Sequence, residues 1–194
     1  MEEAEPKRHS FSVAEFDLMV ESGAFSDDAR IELIEGELID MPPPNPPHAA
    51  SVASLQEALT IALHDRAHVR AQAPLTVGAL SQPEPDLAVV RVAKDRYFER
   101  HPKAADAFAV IEVSSSSLAI DRGVKLRMYG RARIPEYWIV DLRAEVVEAY
   151  REPHDLGYGA TTVYRRGDML ALQAFPHATL RVDDVLGTVK AGTS

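Results

Sequence analysis

The sequence predicts a mixed β-sheet flanked by helices, a fold of α/β or α+β type. Residues 48–66 place apolar side chains at spacings of three and four, which is typical of an amphipathic helix. Three apolar runs follow as strand candidates, at residues 69–78, 85–92 and 107–114. A basic helical segment, residues 122–133, then separates them from two more candidates, "EYWIVDL" and "EVVEAYRE". The fold class follows from this mixture of element types along one chain.

The remaining elements are shorter. Ser10 or Ser12 is a candidate N-cap of a first helix that ends at Gly23. Apolar runs on both sides of Glu35 and Gly36 predict a hairpin. Residues 42–47, "PPPNPP", are predicted to be a stiff connector outside any helix, because proline lacks an N–H donor and restricts φ. The C-terminal part, residues 151–188, reads as a β extension of short segments.

Composition restricts the possible functions. A chain of 194 residues suits a single domain, expected over residues 1–194. It has no cysteine, so any metal site must use oxygen or imidazole ligands. The polar N-terminus and the absence of a long apolar stretch predict a cytoplasmic protein. The net charge of -9 opposes broad attraction to nucleic acid. If the substrate is a polyphosphate, positive potential must therefore be local, and the candidate patch is Arg122, Lys125, Arg127, Arg131 and Arg133.

A carboxylate inside the strand "AFAVIEVS" is the main functional signal. Glu112 would cost several kcal/mol there unless it is paired, protonated or bound to a cation. Asp86 begins the apolar run before it, on the face of Ala88 and Val90, while Glu112 shares a face with Val110 and Phe108. If the two strands are neighbours, both carboxylates can project to one side. Such a pair is suited to Mg²⁺ or Mn²⁺.

Lys125 supplies a third candidate, because the helix after the serines can fold back over the sheet. Two acids, a metal ion and a lysine together indicate hydrolysis of a phosphodiester bond. Other interpretations stay open: Asp86 as a turn residue, Glu112 at a strand end in water, and Lys125 on a solvated helix face. The run from Ser114 to Ser117 is either a phosphate-binding loop or a connector that caps the next helix.

An ordered series of motifs resembles the Uma-two family of restriction endonuclease-like proteins, in the PD-(D/E)XK nuclease superfamily. The motifs are "ELIEGELIDMPPP" followed by His48, then "PEPDLAVV", "VIEVSSSS" and "DRGVKLRMYGRARIPEYWIVD", and the resemblance covers about residues 12–150. It implies a restriction-endonuclease-like mixed sheet in which Asp86 and Glu112 are the metal-binding acids. The superfamily places its lysine two residues after the second acid, where this chain has Ser114. The resemblance therefore implies that Lys125 takes over that role.

The resemblance also implies auxiliary roles for Glu37 and His48. Asp86, Glu112 and Lys125 are the expected catalytic residues of a Mg²⁺- or Mn²⁺-dependent endonuclease acting on DNA. Because two copies related by a twofold axis can cut both strands of a duplex, a homodimer is expected. The competing hypothesis is a nuclease-derived interaction module without catalytic activity, since fold alone does not establish function.

Overall fold

The protein is described by a computed structural model over residues 7–26 and 28–187. The helix over residues 118–131, named α3, contains a π-helical segment, Asp121–Lys125, between two α-helical parts. In chain order the elements are α1 (Val13–Glu21), β1 (Ile31–Ile34), β2 (Glu37–Asp40), α2 (Pro46–Leu63), β3 (His68–Ala71), β4 (Leu87–Val90), β5 (Ala107–Ser114), α3 (residues 118–131), β6 (Glu136–Asp141), β7 (Val146–His154), β8 (Gly157–Arg165), β9 (Met169–Ala171), β10 (Thr179–Arg181) and α4 (Val182–Leu186).

A six-stranded mixed sheet lies at the centre, with strand order β3-β4-β5-β6-β7-β8. Neighbouring strands are antiparallel except for β5 and β6. Those two are parallel, and α3 forms the crossover that a parallel connection requires. The protein also has two small two-stranded sheets, β1-β2 and β9-β10, besides the six-stranded one. The predicted fold class is confirmed, and so is the adjacency of the strands that carry Asp86 and Glu112.

The two faces of the sheet are covered by different helices. Leu55 and Leu59 of α2 belong to one buried cluster together with Ile111 of β5. Met128 and Tyr129 of α3 belong to the cluster on the opposite face. Burial on both faces explains why the central strands read as continuous apolar runs rather than as alternating ones. It also explains why an acid within such a strand is informative.

Helix α2 begins two residues earlier than predicted. Asn45 is its N-cap, and Oδ1 of Asn45 accepts a hydrogen bond of 3.0 Å from the backbone N–H of His48. The prediction that residues 42–47 contain no helix is therefore wrong for Pro46 and Pro47. Proline is tolerated in the first turn because N–H groups there have no partner within the helix.

A β-bulge changes the direction of one predicted side chain. Val89 pairs with Ala109 and Val90 with Ala107, which leaves Phe108 as an extra residue in β5. Phe108 packs against the cluster on the α2 side, whereas Val110 lies in the opposite cluster. The predicted shared face of Phe108 and Glu112 is wrong, because the extra residue interrupts the alternation.

The C-terminal extension completes the core on the α2 side. Val182 and Val185 of α4 are fully buried in the cluster that contains α2, and Oγ of Ser51 donates a hydrogen bond of 2.8 Å to the carbonyl of Val185. This short helix was not predicted. The extension predicted over 151–188 and the single domain predicted over 1–194 reach beyond the described residues, and the domain extent stays a prediction.

Helix α3 approaches the β7-β8 turn so closely that only glycine fits at position 130. A Cβ atom on Gly130 would lie 2.0 Å from the carbonyl oxygen of Gly157. Replacing Gly130 with Ala is expected to lower the free energy of unfolding by about 2–3 kcal/mol, although Ala favours helix. Gly123, in the same helix, has open space around a Cβ atom. Urea unfolding should therefore show no loss for Gly123→Ala, and equal stability of the two variants would contradict the packing argument.

Candidate active site

Asp86 and Glu112 lie side by side where β4 begins and β5 ends. The register pairs Leu87 with Ile111, so the two acids are the next neighbours across the strands. The backbone N–H of Asp86 donates to Oε2 of Glu112 at 3.3 Å. The N–H of Val113 donates to Oδ2 of Asp86 at 2.8 Å. Both side chains are buried. The strand register and these two hydrogen bonds therefore bring together the two acids that the strand pattern selected.

Lys125 reaches this pair from α3. Its Nζ atom lies 3.0 Å from Oε1 of Glu112 and 2.9 Å from Oε2 of Glu32. The hydroxyl of Tyr129 donates to the same Glu112 oxygen at 3.0 Å. Lys125 is only 1% exposed. The interpretation of Lys125 as a solvated helix residue is therefore excluded by its burial.

The π-helical segment of α3 places Asp121 beside Lys125. The wider turn is closed by the N–H of Leu126, which donates to the carbonyl of Asp121 five residues earlier. The hydroxyl of Tyr137 donates to the same carbonyl at 3.2 Å. Oγ of Ser117 donates to the Asp121 carboxylate at 2.6 Å. Insertions of this kind are frequent at functional sites, and here the inserted turn carries two buried charged residues.

His48, in the first turn of α2, contacts Asp86 of the site. Its Nε2 atom lies 3.0 Å from Oδ2 of Asp86. Because a carboxylate only accepts, this contact assigns the ring proton to Nε2. The other ring nitrogen, Nδ1, is buried and has no hydrogen-bond partner among the described residues. The structure thus brings His48 into contact with the site.

Glu37 is not part of this arrangement. Its side chain is exposed and lines a separate surface pocket with Ile34 and Val124. The hairpin contributes Glu32 instead, which is 4% exposed and contacts Lys125. Glu32 and Asp121 are the two site residues that sequence reasoning missed. Glu32 had a usable signal, since it is an acid in a strand whose remaining residues are all Ile or Leu.

The serines after β5 line the pocket above the acids. Ser115, Ser116 and Ser117 face the same pocket as Asp86 and Lys125. Oγ of Ser115 accepts a hydrogen bond of 3.1 Å from Asn45. Within the described residues no side chain of this run caps α3, because Ser117 bonds to Asp121 instead of to a backbone N–H. The location of these hydroxyls suits contact with a ligand in the pocket.

Burial dominates the electrostatics of the acids. It raises the pKa of Glu112 to about 8, although the charge of Lys125 acts in the opposite direction. Burial likewise raises the pKa of Glu32 and of Asp121. For Lys125, burial lowers the pKa, but the charges of Glu112, Glu32 and Asp121 outweigh it and leave that pKa above its ordinary value. Lys125 therefore stays charged, and Glu112, with a pKa of about 8, retains a proton at neutral pH.

This retained proton predicts a pH dependence of stability. Between the ordinary pKa of 4.5 and the folded-state pKa of about 8, Glu112 is protonated in the folded protein and ionised in the unfolded one. The free energy of unfolding is expected to fall as pH rises through that interval, by at most about 1.4 kcal/mol per pH unit for this group. Urea unfolding in EDTA at several pH values would measure it. Glu112→Gln should lack this slope, and an identical pH profile for both proteins would contradict the assignment.

The basic segment 122–133 is largely neutralised by acids. Arg122 pairs with Glu148 and Asp141, Arg131 with Glu35, and Arg133 with Asp155. Arg127 is exposed and forms no ion pair within the part of the chain that the structure describes. The predicted cationic patch is therefore not a free surface.

The carboxylate pair retains oxygens that a hard divalent cation prefers. Within the described residues, Oδ1 of Asp86 accepts no hydrogen bond, and Oε2 of Glu112 accepts only the long one from Asp86. In the same part of the chain, no three His, Asp or Glu side chains are arranged to hold a metal ion. The residues present thus fit Mg²⁺ or Mn²⁺ bound by two carboxylates, with water or substrate oxygens as the other ligands.

The sequence profile of the Uma2 family, described as "Putative restriction endonuclease", matches residues 13–183. The chain belongs to the Uma2 family. The Uma-two resemblance is thereby confirmed, and membership of the Uma2 family indicates a nuclease. No curated protein matches the chain. Among the described residues, none of the helices combines the length and the hydropathy that a membrane span requires.

A solved structure shares the fold of this Uma2 protein. It is the crystal structure of a protein from Anabaena variabilis that is described as a "putative nuclease". The two chains are 18% identical, the similarity covers 91% of this chain and 97% of the other, and the TM-score is 0.71. At this level of identity the likeness shows the fold alone.

Proposed function

We propose that this protein is a Mg²⁺- or Mn²⁺-dependent endodeoxyribonuclease, a hydrolase that cuts phosphodiester bonds of DNA. The observation that carries the proposal is the contact of Lys125 Nζ with Glu112, 3.0 Å apart, beside the neighbouring Asp86. Family membership supports nuclease chemistry, and the acids and the lysine supply the groups which that chemistry needs. Asp86 and Glu112 hold the metal ion in this proposal.

The charge balance of the pocket supports a bound cation. The pocket is lined by five acids and by two cationic side chains, Lys125 and Arg30. Buried like charges repel one another and raise each other's pKa unless a cation lies between them. A divalent cation bound there would compensate the excess of negative charge, and its binding would favour loss of the proton that Glu112 retains. When bound, it would polarise a phosphoryl oxygen and lower the pKa of a water molecule.

The residues of the chain have separable tasks in this reaction. Lys125 keeps a fixed positive charge in a buried position, where it can offset the charge that develops on the phosphoryl group. Glu32 holds the ammonium from the other side and so positions Lys125. His48 holds Oδ2 of Asp86 and so orients this carboxylate, which would be one of the two that hold the metal. Ser115 and Ser116 line the pocket, where a phosphate would enter.

Cleavage assays test this function directly. Wild-type protein with Mn²⁺ or Mg²⁺ is expected to cut plasmid DNA, and EDTA should abolish cutting. Single-stranded DNA and RNA oligonucleotides in parallel reactions identify the preferred substrate. If the protein cuts none of them and shows no metal-dependent thermal shift, the interaction-module hypothesis replaces the enzyme.

The proposal includes a homodimer, because paired cuts in duplex DNA are made most simply by two copies related by a twofold axis. Light scattering at micromolar concentration is expected to give twice the chain mass of 21.3 kDa. One protein chain per particle, both for the protein alone and for its complex with DNA, would contradict the dimer. That result would leave the proposed chemistry of the single site unaffected.

A further inference from the structure

A basic loop, residues 91–103, lies between β4 and β5. It contains five Arg or Lys residues and two acidic residues, so it carries a charge of +3 in a chain whose net charge is -9. The segment 122–133 is also basic but is largely neutralised by ion pairs. Within the described residues, Lys94 and Arg96 are exposed and form no ion pair. The loop therefore offers free positive charge on an acidic protein.

The backbone of this loop turns so that one aromatic ring is buried and the next is presented to solvent. Tyr97 is 8% exposed, and its hydroxyl donates to the carbonyl of Arg91 at 2.9 Å. Phe98, directly after it, is 92% exposed. Arg96 and Tyr97 have φ values of 52° and 61°, a left-handed conformation that is uncommon for residues other than glycine. A strained turn anchored by Tyr97 thus holds Phe98 outward.

Cationic groups surround the anchor of the exposed ring. The guanidinium of Arg70 lies 5.8 Å from the centre of the Tyr97 ring, and that of Arg100 lies 5.2 Å from it. Arg100 is also held by Asp106 at 2.8 Å. These contacts hold the buried Tyr97 ring, so the aromatic face open to a base is that of Phe98. An exposed aromatic ring next to positive charge is the combination by which proteins bind single-stranded nucleic acids.

The loop is continuous with the candidate active site. A groove next to the site is lined by Phe98, by the cations Arg70, Arg100 and Lys103, and by the acids Asp17, Glu21, Glu84 and Glu99. Glu84 lines the pocket of Asp86 as well. A polynucleotide strand with its scissile phosphate at the site can therefore follow the groove toward Phe98.

We propose that the 91–103 loop binds a single-stranded segment of nucleic acid. Phe98 stacks on an unpaired base, and Lys94 and Arg96 contact the phosphates next to it. The base must be unpaired, because a base within a duplex already has both faces covered by its neighbours. This inference rests on the proposed function in one respect, namely that the strand in the groove is the nuclease substrate.

Fluorescence anisotropy with a labelled single-stranded oligonucleotide in EDTA tests the proposal without cleavage. Phe98→Ala is expected to raise the Kd about 5- to 100-fold, the loss typical of one base–aromatic stack. Phe98→Trp keeps an aromatic face and should retain the wild-type Kd within a few-fold. Leu156→Ala is the matched control, because Leu156 is 77% exposed on the β7-β8 turn, at the edge of the sheet farthest from β3 and β4. It should leave the Kd unchanged.

The proposed phosphate contacts predict a separate effect, on the salt dependence of binding. Lys94→Gln and Arg96→Gln should each weaken binding and reduce the slope of log K against log salt by about 0.7, the value for one phosphate contact to a single strand. Phe98→Ala should leave that slope unchanged, since stacking releases no counterion. A blunt duplex of the same sequence is expected to bind more weakly, with little dependence on Phe98.

Equal Kd values for wild type, Phe98→Ala and Leu156→Ala would overturn the proposal, even if wild type cleaves DNA. Conversely, Phe98-dependent binding by a wild-type protein that cleaves nothing would support the binding surface and reject the nuclease activity. If Phe98→Ala changes the molar mass in light scattering without changing the Kd, Phe98 belongs to a contact between copies and the proposal fails.

Discussion

Replacing Lys125 with Met is expected to lower the free energy of unfolding of the metal-free protein by about 3–5 kcal/mol at pH 8, the loss typical of removing one partner from a buried ion pair. Lys125 lies between Glu32 and Glu112, and all three are almost fully buried. The change leaves two buried acids without the ammonium that pairs with them, so each must either stay charged without a partner or take up a proton. Urea unfolding in EDTA measures the loss.

The loss should be smaller at pH 5, because Glu112 and Glu32 can then take up protons, which is consistent with their raised pKa values. The double variant Glu112→Gln, Lys125→Met should be more stable than Lys125→Met alone, since it removes one of the two acids that lose their ammonium partner. Arg127→Met is the matched control: it removes an exposed cation from the same helix and should change stability by less than about 0.5 kcal/mol. Equal losses for Lys125 and Arg127 would show that the buried contacts contribute nothing.

The same Lys125 variant separates metal binding from catalysis. Because Lys125 is not a metal ligand, Mn²⁺ should still raise the melting temperature of the folded variant. Cleavage is expected to fall by about 10²- to 10³-fold, the effect of deleting one electrostatic stabiliser. Assays under conditions where circular dichroism shows a folded protein exclude a loss by unfolding. If the folded Lys125→Met variant cleaves at the wild-type rate, Lys125 takes no part in the reaction.

Asp86→Asn and Glu112→Gln are each expected to abolish the rise in melting temperature that Mn²⁺ causes, and to abolish cleavage as well. Each change keeps the shape of the side chain and removes a charge that the metal needs. At a Mn²⁺ concentration of about 100 times Kd, wild type gains about 2.7 kcal/mol, which raises the melting temperature of a chain of this size by about 5–10 °C. Neither variant should show that rise. Without metal, Asp86→Asn should be about as stable as wild type, since an amide oxygen can still accept from Val113.

Two further glutamates serve as references for this experiment. Glu57→Gln alters an exposed residue of α2 and should leave the thermal shift intact. Glu37→Gln tests the auxiliary role implied by the family resemblance, and the exposed position of Glu37 outside the site predicts an unchanged shift as well. A full wild-type response in both Asp86→Asn and Glu112→Gln would reject this pair as the metal site.

The local elements and the pair of acids were predictable from the sequence, because both depend on short-range rules. Ser12 caps α1 as one of two predicted candidates, and the capping box with Glu15 explains the choice. Glu35 and Gly36 both have positive φ, as a two-residue hairpin turn requires. The alternation of side chains along strands was sufficient to select Asp86 and Glu112.

Which charges form pairs was not predictable from the sequence, because it depends on how distant segments pack in the folded chain. Glu32 contacts Lys125 across 93 positions of the chain, a distance at which no periodicity relates residues. The π-helical segment and the bulge at Phe108 each insert one residue into a regular element, which the regular spacing of apolar residues does not indicate. The basic residues of α3 looked free in sequence, yet acids from the β1-β2 turn, β6 and β7 and the β7-β8 turn neutralise Arg131, Arg122 and Arg133. Long-range ion pairs depend on three-dimensional proximity, and for this reason the chain pattern alone could not assign them.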